Sequence, residues 1–479
     1  MLWHRIPRTS CAFVSMALFF WTGCVLQPET KRLDIESLGY FEYRPSRRSK
    51  EGLVVGAPHG LSDPDSAEIA RKISERLGAG LVIAYGFKRK HLAVAQPIFY
   101  SRPPPDSGHG PSTRGSAFLE YRRLLDRAAQ GILGFYIEIH RATQGSKRLE
   151  VTSSGLTIEE LQALKDSYLE IRNRFLGANP SIRIPIAIES LDQISWRVSG
   201  IKNHGTLLFA KRGLSLRLPD TLKAPKDEKG YVQILSTWLA DAVKLITKNS
   251  PHLPRIKVKW MGLGRFDMIP PRLEQPGIVI GAPHGSFDEH TAEFATRLSQ
   301  RTGFAAVVAR GFTPAEADGW RINVNRPTEK TFTSAPQERR SERAERIYQA
   351  YKSLVLEAAG KPLGLYIDIH EYAPGKKIQV ATCGLSRAAA GFIKSHYQKI
   401  RNQRVPPGMP AVDLDIEPLD PIELRALAAK SYGILAIARK SLHFELPEQP
   451  LLSRSQARIA YAEVISELLA YAAPRLMEP

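Results

Sequence analysis

The chain has 479 residues, with 67 Lys and Arg against 48 Asp and Glu, a formal charge of +19. Its 3 cysteines exclude a disulfide framework and a cysteine-rich metal site, so a bound metal must be held by histidine and carboxylate. The basic residues are scattered and no nucleic-acid-binding motif is present, so nucleic acid is not the expected partner; the charge favours anionic head groups, cell-wall polymers or acidic substrates.

In chain order, Arg5 and Arg8 come first, ahead of an apolar run over 12–21 that ends in Thr22-Gly23-Cys24. The run is too short to span a bilayer and has the flanks of a secretory signal. The small residue before Cys24 resembles a bacterial lipobox. The expectation is a signal peptide over 1–23, lipidation of Cys24, and a protein anchored in a bacterial cell envelope facing the periplasm or exterior. Residues 24–37 read as a tether. Without Arg5 and Arg8 the charge is +17, and Cys383 is the thiol left outside the signal, read as a packing residue.

A long-period repeat organises the rest. Gly56-Ala57-Pro58-His59-Gly60 returns unchanged as Gly281-Ala282-Pro283-His284-Gly285, and Asp63 as Asp288. Gly134-Phe135-Tyr136-Ile137-Glu138-Ile139-His140 returns as Gly364-Leu365-Tyr366-Ile367-Asp368-Ile369-His370, and Leu218-Pro219 as Leu446-Pro447. The order is kept throughout, which predicts two tandem domains: 38–248, then a linker and start of the second repeat over 249–276, then 277–479. In the second copy apolar runs at 277–280, 305–310, 364–369, 411–417, 434–438 and 443–446 read as strands. Amphipathic stretches at 292–300, 339–359, 388–401, 422–429 and 456–472 read as helices. The alternation predicts α/β; two tandem three-layer α/β/α domains with mostly parallel mixed sheets.

Sites in such sheets lie beyond the carboxyl ends of the strands. His284 and Asp288 leave the first strand of the second copy, and His370 ends another. Two histidines and one acid with open positions is the ligand set of a catalytic Zn2+. Glu445 is the expected general base. Asn325 and Arg326 are the expected clamp on a substrate carboxylate, and Arg310 the expected stabiliser of an oxyanion.

These residues, as Pro283-His284-Gly285, Arg310, Asn323-Val324-Asn325-Arg326-Pro327, Asp368-Ile369-His370 and Phe444-Glu445-Leu446, resemble the motifs of the N-formylglutamate amidohydrolase family, relatives of the zinc carboxypeptidases. The resemblance covers nearly all of the second copy. It implies a phosphorylase/hydrolase-like, zinc-exopeptidase-like fold, zinc binding, a clamp on an acidic substrate, and amide hydrolysis. The sequence departs from the family at Asn323, where Asp is usual, and in a longer loop over 311–320. The acid also follows the histidine by four residues rather than three, so Glu289 and Glu293 stand beside Asp288 as candidates.

The first copy is a degenerate site. It keeps His59, Asp63 and His140, but has Arg217 for Glu445, Ser101 for Asn325 and Tyr85 for Arg310. A guanidinium cannot serve as a base near neutral pH. The reading is therefore an exported enzyme with one working Zn2+ site, acting on a small molecule or peptide with a free carboxylate; N-acyl amino acids fit. Against it stand core histidines in place of ligands, a non-catalytic envelope-binding lipoprotein, and a polyanion-binding surface protein.

Overall fold

The computed structural model describes residues 28–35, 39–60, 64–87, 94–95, 116–141, 146–175, 183–195, 202, 205–219, 225–247, 256–272, 275–333 and 335–478. The signal-like run, Cys24, Asp63 and Ser101 lie outside the described residues. The first half contains β1 (Lys31–Ile35), β2 (Gly39–Arg44), β3 (Leu53–Ala57), α1 (Pro64–Leu77), β4 (Gly80–Tyr85) and α2 (Ser116–Ala129). It continues with β5 (Phe135–Arg141), β6 (Leu149–Ser154), α3 (Ile158–Phe175), β7 (Ile186–Ile188), α4 (Thr206–Phe209), β8 (Arg212–Leu218) and α5 (Pro225–Thr247).

The second half opens with β9 (Lys257–Trp260), β10 (Gly264–Ile269), β11 (Ile278–Ala282), α6 (Thr291–Thr302) and β12 (Ala305–Gly311). A small antiparallel sheet follows, β13 (Trp320–Asn323), β14 (Thr328–Thr331) and β15 (Glu338–Arg340). Then come α7 (Glu342–Ala359), β16 (Leu365–Tyr372), β17 (Ile378–Cys383), α8 (Arg387–Arg404) and β18 (Leu414–Ile416). α9 (Leu427–Tyr432), β19 (Lys440–Pro447) and α10 (Ser455–Met477) complete it. Among the described residues no helix is long and apolar enough to cross a membrane.

Each half builds one 8-stranded mixed sheet, in the order β1-β2-β4-β3-β5-β8-β6-β7 and β9-β10-β12-β11-β16-β19-β17-β18. Strand for strand the two orders correspond. The inner strands β12-β11-β16-β19 run parallel, whereas β9, β10 and β17 join antiparallel.

Alternation sets the layers. In the second half Ile278, Ile280 and Ala282 pack with α6, α8 and α10, while Val279 and Tyr366 pack with α7 on the opposite face. Both α7 and α8 start at a serine whose hydroxyl accepts the backbone N–H three residues on, Ser341 from Ala344 and Ser386 from Ala389. α7 ends at Gly360, whose φ of 62° gives the left-handed turn that closes it.

Several boundaries differ from the sequence reading. Part of the expected tether is the edge strand β1, paired antiparallel to β2. The expected linker holds β9 and β10, the outer strands of the second sheet. Ile434–Ala436 is a short 3-10 turn instead of a strand; its Ile434 N–H donates to the Asn325 carbonyl, an irregular connection rather than a ladder.

Candidate metal centre

The end of β11, just before the turn, depends on one glycine. A Cβ on Gly281 would stand 1.9 Å from Tyr366 Oη and 2.6 Å from Tyr351 Oη, so this strand passes directly over a buried tyrosine pair. Tyr351 and Tyr366 hydroxyls lie 2.9 Å apart, and Tyr366 donates to Asp368 Oδ1 at 3.0 Å. Gly56 faces Tyr136 and Tyr121 in the same way in the first half. The recurring glycine is thus a packing requirement.

Beyond that turn, His284, Asp288 and His370 come together, all buried. Asp288 Oδ2 is 3.3 Å from His284 Nδ1 and 3.2 Å from His370 Nδ1. Ligand atoms about 2.0–2.1 Å from a tetrahedral ion stand roughly 3.3 Å from one another, so Asp288 stands from both imidazoles at separations that a shared zinc ion could bridge. Of the other acids, Glu289 is exposed and Glu293 faces Arg310, which leaves Asp288 as the acidic member.

The protonation states fit the same occupant. Burial, assisted by the charge of Arg321, pushes His284 down to about 3, leaving a neutral imidazole. For His370 burial acts downward, but Asp368, Asp288 and Glu445 outweigh it and push the group up to about 10. A proton on His370 Nδ1 and a divalent cation are alternative occupants of that position. His370 Nε2 donates to Asp368 Oδ2 at 2.8 Å, which turns Nδ1 toward Asp288. His443 Nδ1 also donates to Asp368 Oδ2, at 2.9 Å. His370 Nδ1 is itself within hydrogen-bond distance of Asp288, and Asp368, His370 and His443 form a second buried group able to hold an ion.

Glu445 lies opposite His370 on the neighbouring strand, and its Oε1 accepts from His443 Nε2 at 3.0 Å. Both line one cleft of about 480 Å³ with His284, Asp288, Arg321, Asn325 and Arg326. Asn325 Nδ2 is 3.4 Å from His370 Nε2. Arg326 has two of its guanidinium nitrogens on Glu338, at 2.9 and 3.3 Å, and the third 3.4 Å from Asn325 Oδ1. Its fork is therefore occupied by protein. Glu371 brings a further carboxyl to the rim, pushed up to about 8 by burial and by Asp288, Glu448, Glu289 and Glu445.

Arg310 departs from the sequence reading. It continues the row Ala306, Val308 that faces α6, so its guanidinium meets Asp267 at 3.0 Å and Glu293 at 3.6 Å. There it lines a separate cavity of about 120 Å³ between the two halves, together with Ser153, Lys202 and Arg458. Of the arginines that line the candidate cleft, Arg321, on β13, is held between aromatic rings. Its guanidinium lies 4.5 and 4.8 Å from the rings of Phe287 and Phe332, and one nitrogen donates to Asn323 Oδ1 at 2.8 Å. Its Nε is buried with no hydrogen-bond partner among the described residues. The available signal was strand alternation, which puts 321 and 323 on one face of β13.

In the first half the His59 and His140 rings are 5.4 Å apart, and Glu138 takes hydrogen bonds from His140 and Thr206. Arg217 occupies the register position of Glu445 and pairs with Glu150 at 3.3 Å. Ser215 stands where the second half has His443.

No family model and no curated protein matches the chain. Among solved structures it is similar to a metallo-carboxypeptidase from Burkholderia cenocepacia, at 13% identity over 51% of this chain and 69% of that one, TM-score 0.30. It is also similar to a bacteriophage poly-gamma-glutamate hydrolase, at 14% identity over 44% and 93%, TM-score 0.26. A mutant of murine aminoacylase 3 aligns at 16% identity over 42% and 65%, TM-score 0.25.

Proposed function

We propose that the second half is a zinc-dependent hydrolase of amide bonds next to a carboxylate, with N-acyl amino acids or peptides as substrates. The observation that carries it is the placement of Asp288 Oδ2 at 3.3 and 3.2 Å from two imidazole nitrogens, in one cleft with Glu445. His284, Asp288 and His370 would hold the ion, which when bound would polarise a carbonyl and acidify a water. Glu445 takes the proton of the attacking water and passes it to the leaving amine. Arg321, rather than Arg310, faces the charge that develops on the carbonyl oxygen. Asn325 supplies a neutral amide beside it.

Kinship with the N-formylglutamate amidohydrolase family, with the first half a degenerate copy, belongs to the same reading. The motif order and the matching strand orders support it. So does the loss at Arg217 of the only group in that position able to take a proton. Export and lipidation at Cys24 complete the proposal on the sequence pattern; incorporation of labelled fatty acid that persists in C24A would remove that part.

The test is hydrolysis of N-acetyl and N-benzoyl amino acids, and of dipeptides, by protein stripped with chelator and reloaded with zinc. E445Q should keep its metal and lose at least ~100-fold in turnover. Full turnover in E445Q, or in stripped protein, rejects the mechanism.

A further inference from the structure

The geometry points to His443 as the positioning residue for Glu445, an inference that rests on the function proposed above. Its two ring nitrogens are both engaged, Nδ1 with Asp368 at 2.9 Å and Nε2 with Glu445 at 3.0 Å. The ring packs on His370 with centroids 4.4 Å apart. The base and a metal-holding imidazole are therefore joined through one continuous chain, Glu445 to His443 to Asp368 to His370. A carboxylate on a strand end has three free torsions; a fixed donor at one oxygen removes most of that freedom and leaves the other oxygen for the water. The spacing between base and ion is thereby set by β16 and β19, two central strands of the sheet, rather than by a loop.

The first half shows the same register without this device. Ser215 replaces His443 and is too short to bridge; its hydroxyl is buried with no partner among the described residues. Arg217, in the place of Glu445, turns instead to Glu150 and Ser195. Base and positioning group are absent together, which is what a paired role predicts.

The experiment compares H443A, H443Q and H443N in the full chain, with N-acetyl and N-benzoyl amino acids as probes and metal content measured in each. Glutamine can carry a donor as far as the imidazole Nε2, toward Glu445, whereas asparagine imitates Nδ1 and serves Asp368 alone. H443A should lose about 100-fold in kcat with KM within about twofold and zinc retained. H443Q should recover to within about tenfold of the parent and H443N should not. A kcat for H443A within about threefold of the parent overturns the role. So does loss of zinc in step with activity, or better rescue by asparagine than by glutamine. A readout independent of turnover is the 15N spectrum of histidine-labelled protein. The His443 resonances should move in E445Q, and their staying fixed overturns the inference even if no probe is hydrolysed. If the parent hydrolyses none of the probes while those resonances do move, the functional reading fails and the His443–Glu445 coupling stands.

Discussion

Asp368 accepts a hydrogen bond from His370 Nε2 at 2.8 Å, and that single contact decides which ring nitrogen of His370 faces Asp288. Replacing Asp368 with Ala frees the ring to rotate and removes the charge behind it. Zinc affinity, measured by competition with a chromogenic chelator, should fall ~10–100-fold, the usual effect of losing an orienting carboxylate. An unchanged affinity would show that the imidazole is held by packing alone.

Arg321 and Arg310 separate by location. R321A should lower kcat/KM by ~100-fold or more, because it removes fixed positive charge from a buried cleft. R310A should leave the kinetic constants of the folded enzyme close to the parent values. It leaves Asp267 to Arg265 alone and takes the guanidinium away from Glu293, however, and should lower the denaturation midpoint. Steady-state kinetics with denaturation midpoints on both variants check this, and the opposite pattern would return Arg310 to the site.

Arg265 holds the halves together. It is fully buried and donates across the boundary to the Leu208 carbonyl at 3.0 Å, to the Ala210 carbonyl, and to Ser154 Oγ at 2.5 Å. R265M keeps the bulk but leaves those acceptors unmatched and Asp267 with Arg310 alone. Denaturant unfolding should shift by ~3–5 kcal/mol and split into two transitions, one for each half. A single transition at the parental midpoint would mean that the boundary is held by other contacts.

The small sheet β13–β15 should loosen in acid. Glu329 is buried against Arg339 and Arg343, and Glu338 bonds Arg326 and Thr328. Burial acts to raise both carboxyls, and their arginine partners outweigh it, so both lie below their usual value. Depressed carboxyls stabilise fully above the unfolded-state value of ~4.3, and this stabilisation is lost as pH falls through the lower folded-state value. Amide exchange over 320–340, corrected for intrinsic rates, should therefore accelerate below pH ~4 and stay flat between pH 5 and 8. E329Q should already exchange fast at neutral pH.

The α/β architecture was legible because its inner strands carry continuous apolar runs flanked by turn residues, and because the Gly-Ala-Pro-His-Gly turn occurs twice. The edge strands β1 and β9 were not, since Lys31–Ile35 and Lys257–Trp260 mix charge with apolar residues as exposed edges do. His284, Asp288 and His370 could be picked out by residue type at strand ends. Which way a strand-end arginine points could not: Arg310 and Arg321 both neighbour the motif, and the row shared with Ala306 and Val308 sends Arg310 to the far face. His443 was hidden by its own motif, where it reads as one more polar residue in an apolar strand.

The antiparallel insert between β12 and α7 carries Arg321, Asn325 and Arg326, yet none of His284, Asp288, His370 or Glu445. On the function proposed above, the groups that would grip a substrate and those that would act on its bond are thus written on separate stretches of chain. Lineages could exchange the twenty-odd residues of that ribbon and inherit a new diet while leaving the reactive machinery intact.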